Sequence, residues 1–135
     1  MPVETGRGRG PARERAFTLL YEATQRGIDG AAILAEEILE TDPFTVAVVT
    51  GVSESRDDLD ERIARLSKGW ALDRMPVVDL TLLRMGVWEL QHRDDVPTAV
   101  VLNEAVELAN TYSTDESGRF VNGVLAAAAA DIRGH

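Results

Sequence analysis

Four of the five prolines, Pro11, Pro43, Pro76 and Pro97, each stand just ahead of a segment whose apolar residues recur every three or four positions. Proline presets φ to a helical value and lacks only a donor that the first turn leaves unpaired. In that place it opens a helix instead of breaking one. After Pro11, Ala16, Phe17, Leu20 and Ala23 form a stripe that ends by Gly27. Asp42 and Pro43 make a polar cap and a start. Phe44, Val48, Val52, Ser55, Leu59, Ile63 and Leu66 then follow one face to about Gly69. The polar stretch Ser53 to Asp58 leaves open one long helix or two with a bend. Pro76 opens a run packed through Val78, Leu82, Leu83, Val87 and Leu90, which gives out between His92 and Asp95. Pro97 opens another, with Val101, Ala105, Leu108 and Ala109 inward and Asn103, Glu107 and Asn110 opposite.

Two further segments complete the pattern. A short helix after Gly30 carries Ile33, Leu34 and Ile38, and a last helix beyond the loop Ser113 to Gly118 carries Phe120, Val121, Val124, Leu125 and Ala128. Strand alternation is scarce. The expectation is an all-α chain, a compact single-domain helical bundle of six or seven helices over residues 11–135, preceded by a flexible arginine-rich arm over residues 1–10.

A chain of 135 residues can bury one core without staples. It has no cysteine, which excludes disulfides, thiolate nucleophiles and cysteine metal sites and suits a reducing compartment. The longest apolar run, Val124 to Ala130, is far short of the roughly 18 residues of a spanning helix, and no signal-type apolar core follows the N-terminus. A soluble cytoplasmic protein is expected.

Charge is distributed unevenly. Residues 1–26 carry a net +2 and the remainder −11, within a total of −9. Arg7, Arg9, Arg13 and Arg15 thus form a basic arm on an acidic body. That pattern fits a localised nucleic-acid contact, or a solubilising tail with no partner. Arg13 and Arg15 fall in the first turns of a helix, where the macrodipole is positive and cations cost about 0.3–1 kcal/mol each. A bound phosphate would reverse the sign of that interaction, and four such contacts would give a log–log salt slope of roughly −3 on a single strand. No helix carries a recognition-type row of Arg, Asn and Gln, which favours RNA over duplex DNA. Tyr21 is available to stack on a base but reads first as a half-buried core residue.

Catalytic chemistry finds no support. Glu89 and His92 make one Glu-x-x-His pair, but a di-iron bundle needs a second pair and two more glutamates, and the only other histidine is His135. No metal or cofactor is expected. No serine has a nucleophile's context, and Gly6, Gly8 and Gly10 lack the strand, helix and lysine of a phosphate loop. The chain reads as a non-enzyme.

Several motifs carry a family resemblance. Leu72-Asp73-Arg74, Val78-Asp79, Leu83-Arg84, Trp88-Glu89-Leu90 and Asp95-Val96-Pro97 occur in order. More specific are Asn103-Glu104-Ala105-Val106-Glu107-Leu108-Ala109 and Phe120-Val121-Asn122-Gly123-Val124-Leu125, with Ala12-Arg13-Glu14-Arg15-Ala16 and Leu20-Tyr21 near the start. Together, over nearly the whole chain, these resemble the NusB family of bacterial transcription antitermination factors. The thirteen arginines against one lysine fit a GC-rich bacterial genome.

The resemblance implies an all-helical RNA-binding factor that pairs with NusE, a small-subunit ribosomal protein. The pair would bind single-stranded boxA RNA and join other Nus factors on RNA polymerase in ribosomal RNA transcription. RNA contacts then carry over to Arg7, Arg9, Arg13 and Arg15, with Arg119 and Phe120 as a second patch. Asp79, Glu89, Asn103 and Glu104 are expected to face the protein partner. Gly123 is expected to permit a close helix contact, Asn122 to satisfy a buried backbone group, and Arg74 and Arg84 to pair with carboxylates. Asn110 stands where the family often has lysine, and alanines from Ala126 replace residues that are often polar. A self-associating dimer, or an interaction module without RNA, is the alternative. NusB-like domains also open RNA cytosine methyltransferases, but there is no room here for their cofactor domain and no catalytic cysteine, so the stand-alone form is expected.

Overall fold

A computed structural model describes residues 9–134. Seven α-helices occupy them: α1 (Gly10–Arg26), α2 (Gly30–Ala35), α3 (Pro43–Glu54), α4 (Arg56–Leu66), α5 (Val77–His92), α6 (Thr98–Tyr112) and α7 (Asp115–Arg133), with a single 3₁₀ turn at Leu72–Arg74 between α4 and α5. No strand is present among the described residues.

The starts follow local chemistry. Asp29 accepts from Ala32 N at 2.8 Å, Asp42 from Phe44 N at 2.7 Å, and the Thr114 hydroxyl from Ser117 N at 3.1 Å, each satisfying a first-turn donor. Gly27 ends α1 in the left-handed region at φ 68°, where a side chain would be strained. The polar stretch inside the third segment resolves as two helices, broken at Ser55.

Helix α5 is the axis of the bundle. Eleven consecutive or near-consecutive residues of it, from Asp79 to Leu90, are buried, because α1, α3, α4, α6 and α7 all pack on it. Two glycines allow that. A Cβ on Gly51 of α3 would lie 2.2 Å from Trp88, and one on Gly86 would lie 2.7 Å from Leu125 of α7. At such crossings the backbones approach only because no side chain intervenes. Arg84 ties α5 to α4 through Asp60 at 2.7 and 3.0 Å, as expected, whereas Arg74 is exposed.

Arg133, near the end of α7, closes the C-terminal end of α5. Its guanidinium donates to the carbonyls of Leu90 (3.1 Å), Arg93 (2.9 Å) and Val96 (2.9 Å) and to the Thr98 hydroxyl (3.0 Å). Helix C-termini leave carbonyls without intrahelical donors, and one side chain here serves several of them together with the turn that follows.

Four expectations are corrected. Helix α2 ends at Ala35, so Ile38 lies beyond it and is 97 % exposed instead of packed. The supposed loop Ser113 to Gly118 is mostly helix: α7 starts at Asp115, and Gly118 faces α6, where a Cβ would meet Asn110 at 2.2 Å. The close contact assigned to Gly123 therefore belongs to Gly118, since a Cβ on Gly123 meets nothing within 4 Å. Asn122 is exposed, not engaged with a buried backbone group. Helix periodicity marks a face, but two candidate faces of a glycine-containing helix are separated only by its neighbours.

Candidate nucleic-acid interface

The residues named from sequence fall into two places. The first is the start of α1, where it meets the start of α3, the α5–α6 turn and α6. Arg7 lies outside the described residues, as does most of the proposed arm. Arg9 donates to Asp95 Oδ2 at 3.0 Å and sits with its guanidinium carbon 4.8 Å from the Phe44 ring centre. Arg15 is half-exposed and grips Glu37 through Nη2 at 2.8 and 2.9 Å.

Arg13 is the clear departure. Only 2 % exposed, it makes a two-pronged pair with Glu89, Nε and Nη2 each 2.8 Å from a carboxylate oxygen, and a third contact with Glu104 at 3.0 Å. Burial lowers its proton affinity, but the Glu89 and Glu104 contacts outweigh that and hold it charged. The helix-dipole penalty anticipated for this arginine is offset by buried carboxylates, with no bound phosphate required. Glu89 is 1 % exposed, so the expectation that it faces a protein partner is corrected as well: its partner is Arg13. Adjacent His92 is turned to solvent against Trp88, and no group of three metal-type side chains occurs among the described residues.

The second place is an open cleft between the 3₁₀ turn, the start of α5 and the start of α7, lined by Trp70, Arg74, Pro76, Asp79, Ser117 and Phe120. Phe120 is half-buried and meets Trp70 edge to face at 5.7 Å, while Trp70 itself is 54 % exposed. Arg119, the preceding residue, is exposed. Asp79, expected on the partner side, is instead 3 % exposed in the floor of this cleft. Its Oδ1 has no hydrogen-bond partner. Desolvation pushes its pKa up from the usual carboxylate range, only partly opposed by a hydrogen bond from Ser117. A buried acceptor left unsatisfied is costly.

Of the remaining residues, Asn103 is exposed on α6, while Glu104 is half-buried against Arg13, with its pKa raised by desolvation. Tyr21 is half-buried against Phe17, as the core reading expected. Trp70, which lines the cleft, is not among the residues named from sequence. Its signal was an aromatic standing outside every periodic segment, which a core role does not explain. Nor was the cluster of Phe44, Arg93 and Asp95 named, since its members are far apart in sequence.

Residues 10–130 match the NusB family. The transcription antitermination protein NusB of Kineococcus radiotolerans is 49 % identical over 119 residues, covering 85 % of this chain and 88 % of that protein. The structure of T. maritima NusB superposes with a TM-score of 0.83 at 34 % identity, covering 91 % of both chains. A chain in a complex of the antitermination factors NusB and NusE with double-stranded RNA superposes with a TM-score of 0.76 at 26 % identity, covering 91 % of this chain and 96 % of that one.

Proposed function

The chain belongs to the NusB family, and from that premise we propose that it is a non-catalytic, RNA-binding transcription antitermination factor. Its RNA is single-stranded boxA, and it works as a heterodimer with NusE, alongside other Nus factors on RNA polymerase, in ribosomal RNA transcription. The compartment is the cytoplasm; no helix among the described residues is long and apolar enough to cross a membrane.

The observation that carries this reading is the cleft. Trp70 and Phe120 offer aromatic faces to an unpaired base, Arg74 lines the same cleft as a cation, and the buried Asp79 closes its floor. Stacking contributes about 1–3 kcal/mol per base and tolerates any base. The half-exposed Arg15 and exposed Arg119 add phosphate contacts, and Arg7 and Arg9 extend them along the strand. Arg13 supports this surface from within by fixing α1 against α5. Asn103, exposed on α6, is the proposed NusE contact among the four residues first considered.

A protein-only interaction module, including self-association, is the second reading, favoured by the nearly bare Ile38 and Leu39, 97 % and 83 % exposed. Fluorescence anisotropy of a short boxA RNA, with and without NusE, at low and moderate salt, separates the two. The proposal requires salt-sensitive binding that NusE tightens, and a loss of roughly tenfold in Phe120→Ala from the missing stack. No binding under any condition leaves the protein-only module.

A further inference from the structure

Phe44 is ringed by charge. The guanidinium carbons of Arg9, Arg13 and Arg93 lie 4.8, 5.0 and 5.0 Å from its ring centre, an unusual concentration of cations in a chain of net charge −9. Arg13 is neutralised inward by Glu89 and Glu104. Arg9 and Arg93, each partly buried, share one anion, the carboxylate of Asp95. Arg9 Nη1 is 3.0 Å from Oδ2, and Arg93 reaches both oxygens, Nε to Oδ1 at 3.1 Å and Nη2 to Oδ2 at 3.2 Å.

Two guanidiniums converging on a pair of oxygens that carry one negative charge is also the geometry that holds a phosphodiester. The ring of Phe44 sets the spacing, since both cations are drawn to its face. The anion position opens to solvent: the Asp95 side chain is 52 % exposed, against 20 % for Arg9 and 23 % for Arg93. The backbone beneath it is fixed. Val96 N donates to Arg93 O at 2.9 Å, and Arg133 holds the carbonyls of Arg93 and Val96. Asp95 can therefore swing out by side-chain rotation alone while both arginines stay in place.

We propose that Arg9 and Arg93 form a phosphodiester-binding cleft over Phe44, and that Asp95 is its internal occupant, displaced when an RNA phosphate enters. This rests on the RNA-binding reading above and adds Arg93 as a contact and Asp95 as a built-in competitor. An exposed carboxylate–arginine contact is weak, whereas a polyanion gains from counterion release, so exchange favours RNA at low salt and the carboxylate as salt rises. The acidic residue thus sets a threshold against weak or non-specific RNA.

The test is anisotropy of a short single-stranded boxA RNA with the full chain and NusE. Asp95→Asn is expected to bind roughly fivefold tighter, the worth of an exposed pair of this kind. Asp94→Asn removes the same charge from the exposed neighbouring residue and is expected to change affinity less than twofold by ionic screening. Adding Arg93→Ala to Asp95→Asn is expected to abolish the gain. An equal gain in Asp94→Asn, or a gain that survives loss of Arg93, overturns the proposal. So does wild-type binding that Asp95→Asn leaves unchanged, and in that case the RNA-binding reading stands. If the wild type shows no salt-sensitive RNA binding at all, that reading fails and this proposal with it. Should Asp95→Asn fold poorly by circular dichroism, the Arg93 Nε–H resonance of the wild type gives the answer. It is expected to shift when RNA replaces the carboxylate, and an unmoved resonance in saturated complex overturns the displacement.

Discussion

Replacing Arg13 with alanine separates a structural role from an RNA contact. The guanidinium is 2 % exposed and holds Glu89, itself 1 % exposed, through two bonds of 2.8 Å. Removing it leaves the Glu89 carboxylate, 1 % exposed, without its counter-charge, whereas Glu104, whose side chain is 21 % exposed, can turn outward. The cost is therefore concentrated on one uncompensated buried charge, for which about 3–5 kcal/mol is expected. Against a total stability on the order of 5–15 kcal/mol this is a large fraction. For a chain of this length it corresponds to a fall in Tm of roughly 10–20 °C. Replacing both partners together, Arg13→Met with Glu89→Leu, removes both charges and keeps much of the volume, so most of the loss is expected to return. Thermal unfolding by circular dichroism and urea titration of the wild type, the single variant and the double variant give the comparison. An Arg13→Ala protein that keeps the wild-type Tm but loses RNA affinity would refute the reasoning. A double variant as unstable as the single would do the same.

Asp79 supplies a pH signature. Its folded-state pKa is raised by desolvation, so its contribution to stability is present below the unfolded carboxylate pKa and is lost as pH rises through the higher folded value. Asp79→Asn is accordingly expected to raise Tm relative to wild type at pH 7 and to lose that advantage near pH 4; an advantage independent of pH would argue against a buried charge. Two glycines are expected to respond in opposite directions in urea titrations. Gly51→Ala drives a methyl into Trp88 and is expected to cost about 1–3 kcal/mol, whereas Gly123→Ala meets open space within α7 and is expected to add about 0.5–1 kcal/mol.

Amino-acid order alone determined the helices and most of their inward faces. Proline at a helix start and apolar spacing of three or four are local properties, set by one turn's sterics and donors, and Val48, Val52, Leu59, Ile63, Leu82, Val101 and Val121 are buried as that spacing requires. The resemblance proposed Phe120 and its neighbour Arg119 from a contiguous motif, and the structure places Phe120 in the cleft with Arg119 exposed beside it. Amino-acid order could not say that Arg13 and Glu89 face each other across 76 positions, nor that Arg9, Phe44, Arg93 and Asp95 gather at one point. A charged residue has the same sequence signature whether it is bound for solvent, for a phosphate or for a buried partner. The same limit governed Gly118 and Gly123, five residues apart on one helix, where only the position of α6 distinguishes a required glycine from a replaceable one. Burial of charge and the meeting of distant side chains depend on how helices are laid against one another, and that is decided by packing of the whole bundle around α5.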